Sequence, residues 1–278
     1  MRYSLDIQAY FDRIGYEETP TATLDTLRTL HQKHTETIPF ENLNPLLGLP
    51  VKLDLESLEQ KMIHNQRGGY CFEHNLLFKQ MLKTVGFSVT GLAARVRWNK
   101  SEDEITPRGH MLLLVNIDGK DYIADVGFGG STLSTPLLLN PDIVQQTPHG
   151  PYRLISREDE YLLQIQLKDE WSSLYQFNLQ ENYLPDYELT SWYLSNHPES
   201  HFVNDLVAAR TAPGHRYVLS DNTFKIHHLD DATEERILKT PNELRAVLEQ
   251  KFKIELPDVK QLSSALEQTT VAKEGLGE

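Results

Sequence analysis

The stretch "RGHMLLLVNIDGKDYIADVGFGG", Arg108 to Gly130, decides how the middle of this chain folds. Two apolar runs flank Asp118-Gly119, and an Asp-Gly pair in that setting is a strong signal for a two-residue hairpin turn. With this pair at the centre, cross-strand partners obey one parity, and Asp125 lies opposite Leu112. Side chains two apart share a face of a strand. His110 and Asp125 therefore project from the same face as diagonal neighbours, roughly 7–8 Å apart at Cα, a gap that an imidazole and a carboxylate bridge. An odd-length loop or a bulge would break the relation. Both faces of "HMLLLVNI" are apolar, which predicts a hairpin buried on both sides. A buried Asp125 needs compensation, and His110 is the available partner.

Working outward, "FSVTGLAARVRW", "YRLIS", "YLLQIQL" and "LYQFNL" are short runs rich in Val, Ile, Leu and aromatics, divided by Gly, Asp, Asn and Pro. They predict an antiparallel sheet or barrel through the middle of the chain. The region before Phe87 reads as helices. Leu24, Leu27 and Leu30 recur at three-residue steps behind a Thr21 or Thr23 N-cap, and "LDLESLEQKMIHN" repeats the pattern with Leu55, Leu58 and Met62. A third helix should run from about Cys71 to Val85, with Leu76, Leu77, Phe78 and Met81 on its buried side and Gly86 as its stop. After Pro185 a helical pattern returns in "DYELTSWYLSNHP", then two strands, "HRYVLS" and "NTFKIHHL". Thr240, Pro241 and Glu243 open a further helix with a capping-box pattern. The expected fold is α+β in three regions: a helical bundle (1–86), an antiparallel barrel (87–190) and a mixed α/β region (191–278). The tail "QTTVAKEGLGE" reads as frayed, and the charge runs at 101–104, 157–160 and 230–235 as solvated loop surface.

Composition bounds the function. Among 278 residues, 39% are hydrophobic and 24% charged, as in a folded globular chain. The longest apolar run, "MLLLV", is far short of the roughly 20 residues of a membrane helix. The N-terminus interrupts its apolar residues with Asp6, Gln8 and Asp12, unlike a secretory signal, so the expected location is cytoplasmic. A net charge of −13 argues against nucleic-acid partners. One cysteine excludes an internal disulfide and a multi-thiolate zinc site, and no histidine spacing suggests a metal.

That cysteine, Cys71, lies in "QRGGYCFEHN" (Gln66–Asn75). It is either a buried inert thiol or a nucleophile. At the start of a helix its sulfur would face unsatisfied N–H groups and the positive end of the helix dipole. Gly68 and Gly69 allow a substrate or another strand to approach the backbone beside it. A thiolate nucleophile needs a base and an orienting partner, which His110 and Asp125 would supply. His74, three residues beyond Cys71, would lie near it on the helix, whereas His31, His34 and His64 read as helix positions among polar residues. "GFGGS" (127–131) is either a nest of N–H groups for phosphate or a plain tight turn.

"RGGYCFEHN", "IPFENL" (38–43), "HMLLLV" and "DVGFGG", in this order, together closely resemble the arylamine N-acetyltransferase family; "SWYLSNHPESHF" extends the likeness into the third region. The resemblance implies a helical bundle, a β-barrel and an α/β lid with a papain-like triad: Cys71 as nucleophile, His110 as base, Asp125 as its orienting acid. It implies acetyl-CoA as acyl donor and a small arylamine, arylhydrazine or hydrazide as acceptor. Glu41 and Arg67 would pair near the triad, Phe40 and Phe128 would contact the aryl ring, and Gly129 and Gly130 would neighbour the cofactor. No long insertion precedes the third region, so the chain resembles bacterial members rather than mammalian ones. His74 and "TPRGH" fall at variable positions of the family, which leaves acceptor preference open. The alternatives are a macrolactam amide synthase using a carrier-bound acyl chain, a papain- or transglutaminase-like thiol hydrolase, and a non-catalytic binding protein.

Overall fold

A computed structural model describes residues 3–101, 103–230 and 232–271. The chain opens with α1 (Ile7–Ile14) and α2 (Leu24–Thr37), the latter capped by Thr23, whose hydroxyl accepts from the Thr26 N–H. A two-residue strand β1 (Phe40–Glu41) and a single turn α3 (Leu43–Leu46) follow. Next come α4 (Leu55–Glu59), which continues as one π-helical turn (Gln60–His64), and α5 (Cys71–Val85), stopped by Gly86 at φ 106°. No described helix is long and apolar enough to cross a membrane.

The central sheet holds β2 (Ser88–Val96), β3 (His110–Ile117), β4 (Lys120–Ala124), β5 (Leu137–Leu138), β6 (Val144–Thr147), β7 (Gly150–Arg157), β8 (Glu160–Leu167) and β9 (Glu170–Phe177). Its order is β5-β4-β3-β2-β9-β8-β7-β6, all antiparallel, and it curls into a nearly closed barrel. The seam between β5 and β6 is bridged by a side chain. The Gln145 amide accepts from the Leu138 N–H and donates to the Leu138 carbonyl, both at 2.9 Å.

The β3–β4 turn places Asp118 and Gly119 at φ 51° and 78°, the left-handed pair of a type I′ hairpin. Register follows from it: Ile117 pairs with Lys120 and Leu113 with Ala124. The two apolar faces of β3 enter different cores. Met111, Leu113, Val115 and Ile117 pack with the helices around Tyr10, Leu27, Phe78 and Met81, while Leu112 packs inside the barrel with Leu92, Leu163 and Tyr175. Each such fully buried side chain contributes roughly 1.5–3 kcal/mol.

After the barrel come α6 (Leu184–Asn196) and α7 (His201–Asn204), then β10 (Val207–Ala212), β11 (His215–Ser220), β12 (Thr223–His228) and β13 (Thr233–Ile237), and finally α8 (Pro241–Gln250) and α9 (Gln261–Val271). The second sheet runs β1-β10-β11-β12-β13. β1 joins it by pairing with β10, and Leu43 and Leu47 bury in its core beside Leu219 and Phe252. Residues 40–47, early in the chain, thus belong structurally with its last third.

Several expectations need correction. His31 and His34 are fully buried, because they continue the phase of Leu27 and Leu30 on the inner face of α2. Residues 268–271 of the supposedly frayed tail complete α9, whose Leu262 and Leu266 anchor it in the C-terminal core; the rest of that tail lies outside the described residues. Within the 157–160 charge run, Glu160 is only half-exposed and pairs with Arg108.

Candidate active site

Three chain segments meet at the first turn of α5. Its start is fixed by Glu73, which accepts from the Tyr70 N–H at 3.0 Å and pairs with Lys61 at 2.7 Å. The Tyr70 hydroxyl bonds Ser191 of α6. The glycines before Cys71 have structural occupants: a Cβ on Gly68 would lie 1.9 Å from the Pro39 oxygen, and one on Gly69 would meet Glu73. Behind the cysteine, a Cβ on Gly127 would lie 2.9 Å from the Cys71 Cα. Helix α5 and the loop after β4 thus touch backbone to backbone.

His110, at the first position of β3, donates from Nε2 to Asp125 Oδ2 at 2.7 Å. Asp125 stands one residue past β4, in the register the type I′ turn dictates. The Cys71 thiol lies 3.8 Å from the Gly109 carbonyl and within hydrogen-bonding reach of the His110 ring, whose Nδ1 is the nitrogen left for the sulfur. Burial alone would lower the His110 pKa; the charge and hydrogen bond of Asp125, helped by Cys71, raise it to about 10. Burial opposes ionisation of Asp125, yet His110, Asn75 and the Gly127 N–H together hold its pKa below the ordinary value. The arrangement favours an imidazolium and a carboxylate, with the imidazolium facing the sulfur.

The carboxylate is surrounded. Asn75 Nδ2 donates to Asp125 Oδ1 at 3.0 Å and to the Met111 carbonyl at 2.8 Å, and Asn75 Oδ1 accepts from the Val126 N–H. The Gly127 N–H donates to Oδ1, and the Asp125 N–H donates to His31 Nε2 at 3.2 Å. Sequence reasoning missed Asn75 and His31. Asn75 was visible in principle, one helical turn from Cys71 on the same face.

Glu41 accepts from Arg67 at 2.8–3.0 Å and from the Leu43 N–H at 2.6 Å. Although burial works against its ionisation, Arg67 and Lys61 hold its pKa at about 2. This buried cluster ties β1 to the segment leading into Cys71. Phe128 packs edge-on to His110, with ring centroids 5.1 Å apart, and both contact Tyr175. Phe40 lies against Phe202 of α7, at 6.1 Å, another aromatic that the sequence reading did not single out. The Gly129 Cβ position faces the Phe40 ring at 3.8 Å, while the Gly130 carbonyl accepts from Arg216. His74 is fully buried and bonds away from the thiol, to His34 and the Pro39 carbonyl. No group of His, Cys, Asp and Glu suited to a metal ion occurs among the described residues.

The chain matches a family model described as N-acetyltransferase over residues 23–261. It is 40% identical to an arylamine N-acetyltransferase of Escherichia coli over 252 residues, 90% of this chain and 89% of that protein. To one of Mycobacterium bovis it is 42% identical over 260 residues, 92% of each. Among solved structures, the Mycobacterium marinum arylamine N-acetyltransferase in complex with CoA superposes with a TM-score of 0.91 at 39% identity, covering 95% of this chain and 99% of that one. Helices, barrel and second sheet are therefore shared along nearly the whole length, and the chain belongs to the arylamine N-acetyltransferase family.

Proposed function

We propose that this acyltransferase moves an acetyl group from acetyl-CoA to the nitrogen of an arylamine, arylhydrazine or hydrazide through a thioester on Cys71, with His110 as base and Asp125 as its orienting acid. The observation that carries the reading is the position of His110, held by Asp125 at 2.7 Å on one side and facing the Cys71 sulfur on the other. Relatives named arylamine N-acetyltransferase, and a related structure containing CoA, support the donor and the acceptor class.

In the first step the Cys71 proton already resides on His110 Nδ1, as the imidazolium, and the sulfur attacks the thioester carbonyl. Charge gathers on the carbonyl oxygen. The N–H groups of the first turn of α5, including that of Cys71, lack intrahelical acceptors and are suited to stabilise it. The bond to the CoA sulfur breaks, that sulfur takes the proton from His110, and acetyl-Cys71 remains. In the second step the amine attacks the acetyl carbon, His110 receives its proton, and the Cys71 sulfur leaves. Asp125 keeps the ring oriented and favours the imidazolium throughout.

Phe40 and Phe128 would flank the aryl ring, and Gly129 and Gly130 would neighbour the donor. Glu41 and Arg67 would brace the site from below. The reaction belongs in the cytoplasm, in the handling of foreign aromatic amines; a single unpaired thiol and an acidic chain without a basic footprint support that setting.

The test is turnover of acetyl-CoA with a panel of anilines and hydrazines, for wild type and Cys71→Ala. Parallel-line initial-rate patterns and a mass shift of one acetyl on Cys71 before amine is added are the expected results. Intersecting lines with no acetylated enzyme would overturn the mechanism, and turnover of carrier-bound acyl chains or peptide amides instead would redirect the substrate reading.

A further inference from the structure

Behind the triad, three polar side chains form a buried line. The Tyr10 hydroxyl contacts His34 Nδ1 at 2.6 Å, His34 Nε2 contacts His74 Nδ1 at 2.8 Å, and His74 Nε2 contacts the Pro39 carbonyl at 3.0 Å. All three side chains are fully buried. The carbonyl can only accept, so His74 carries its proton on Nε2. With neutral rings, His74 Nδ1 must then accept from His34 Nε2–H, and His34 Nδ1 from the Tyr10 hydroxyl. One proton arrangement satisfies every contact, and it runs in one direction, from α1 through α2 and α5 to Pro39. Burial, which pushes His74 down to about 4 and His34 well below its ordinary value, keeps both rings neutral.

The line ends where the acceptor wall begins. Phe40 follows Pro39, and its ring lies parallel to that of His74, 3° between planes with centroids 6.4 Å apart. Its other neighbours are Phe202 and the Gly129 turn. The strand carrying Phe40 is only two residues long. Its backbone is held by β10, by Gly69 and by the Glu41–Arg67 pair; His74 adds a donor on Pro39 and a ring parallel to Phe40, the contacts that bear on the Phe40 side chain.

We propose that His74 is a positioning residue for the acceptor: its hydrogen bond to Pro39 and its ring against Phe40 set the wall on which the aryl group of the amine packs. Tyr10 and His34 hold His74 in the one tautomer and orientation that does this. The inference rests on the reading of Phe40 as an aryl contact. It gives His74 no contact with the reacting atoms, so its loss should fall on amine use rather than on reaction of Cys71 with acetyl-CoA.

The experiment compares wild type, Phe40→Ala, His74→Phe, His74→Gln and the Phe40→Ala/His74→Gln double variant, with acetyl-CoA as donor and 4-methoxyaniline as acceptor. His74→Phe keeps a ring but removes both hydrogen bonds; His74→Gln keeps a donor for Pro39 but removes the ring. Each single substitution should raise the KM for the amine by about fivefold or more, the rate of Cys71 acetylation should change by less than about twofold, and the double variant should be no worse than Phe40→Ala. If Phe40→Ala leaves the amine KM unchanged, the Phe40 reading fails and takes this one with it. If Phe40→Ala raises it and neither His74 variant does, the role of His74 fails alone. Equal slowing of both half-reactions would make His74 merely structural and overturn the proposal. Nitrogen-15 NMR of wild type tests the line without substitution: His74 and His34 should both be neutral and protonated on Nε2, and a proton on Nδ1 of His74 would overturn the assignment.

Discussion

Asn75 donates its side-chain amide to Asp125 from a position one helical turn beyond Cys71. Cys71 and the side chain that supports Asp125 are thereby carried on one face of one rigid helix. Asn75→Ala leaves the Met111 carbonyl, the Val126 N–H and one Asp125 oxygen short of a partner. Unsatisfied buried groups cost about 1–3 kcal/mol each before relaxation, so thermal unfolding should occur several degrees lower. Activity should fall alongside, and a melting curve paired with initial rates checks both.

Asp125→Asn keeps the shape of the site and removes the charge that holds His110 high. The imidazole pKa should drop from about 10 to below its ordinary value of 6.5, because burial still disfavours the charged ring, as NMR titration of the ring checks. Loss of the orienting carboxylate in a triad costs roughly 10⁴ in turnover, and a decrease of that order is expected here.

Two glycine substitutions should separate crowding from backbone strain. Gly127→Ala drives a Cβ to 2.9 Å from the Cys71 Cα and 3.1 Å from the His74 Cβ. It should destabilise by about 1–3 kcal/mol and depress acetyl transfer. Gly119→Ala meets nothing within 4 Å and suffers only from φ 78°, so about 1 kcal/mol is lost with turnover retained. Urea unfolding midpoints and steady-state rates distinguish the pair.

Acid should weaken the fold through its neutral histidines. His31 and His74 have folded pKa values of about 4, below the ordinary 6.5, and His34 is also held low. Burial is the leading cause in each. The unfolded chain binds these protons first, so the stabilisation is complete above 6.5 and is lost as pH falls toward 4, at up to about 1.4 kcal/mol per pH unit for each ring. His110 acts oppositely: its contribution is complete below 6.5 and disappears as pH rises toward 10. Chemical denaturation at pH 4.5, 6.5 and 9 should give its greatest stability at the middle value, and His74→Gln should flatten the acid limb.

How much of this was legible in the sequence depended on how locally each feature is specified. The Asp118-Gly119 turn carries its own geometry, so the register bringing His110 to Asp125 followed from two residues. Helix α5 announced its end through Gly86, and α8 its start through Thr240 and Glu243. Strands β5, β6, β10 and β13 were not legible: two are very short, β13 is fully exposed, and β10 is an alanine-rich strand defined by its neighbours. The buried histidines of α2 were misread because periodicity counts His as polar. Their burial depends on partners 40 to 94 residues away, His74 for His34 and Asp125 for His31. No local pattern encodes that.

The side-chain bridge of Gln145 across the barrel seam also bears on how these molecules behave when crowded together. An unpaired strand edge is a template for another chain. At the seam each edge is short, and Gln145 occupies both backbone groups of Leu138 that a foreign strand would use. The outer edge of the second sheet, β13, is protected differently, by Glu234, Glu235 and Arg236 in succession. Replacing Gln145 with an apolar residue would expose a docking edge and favour self-association.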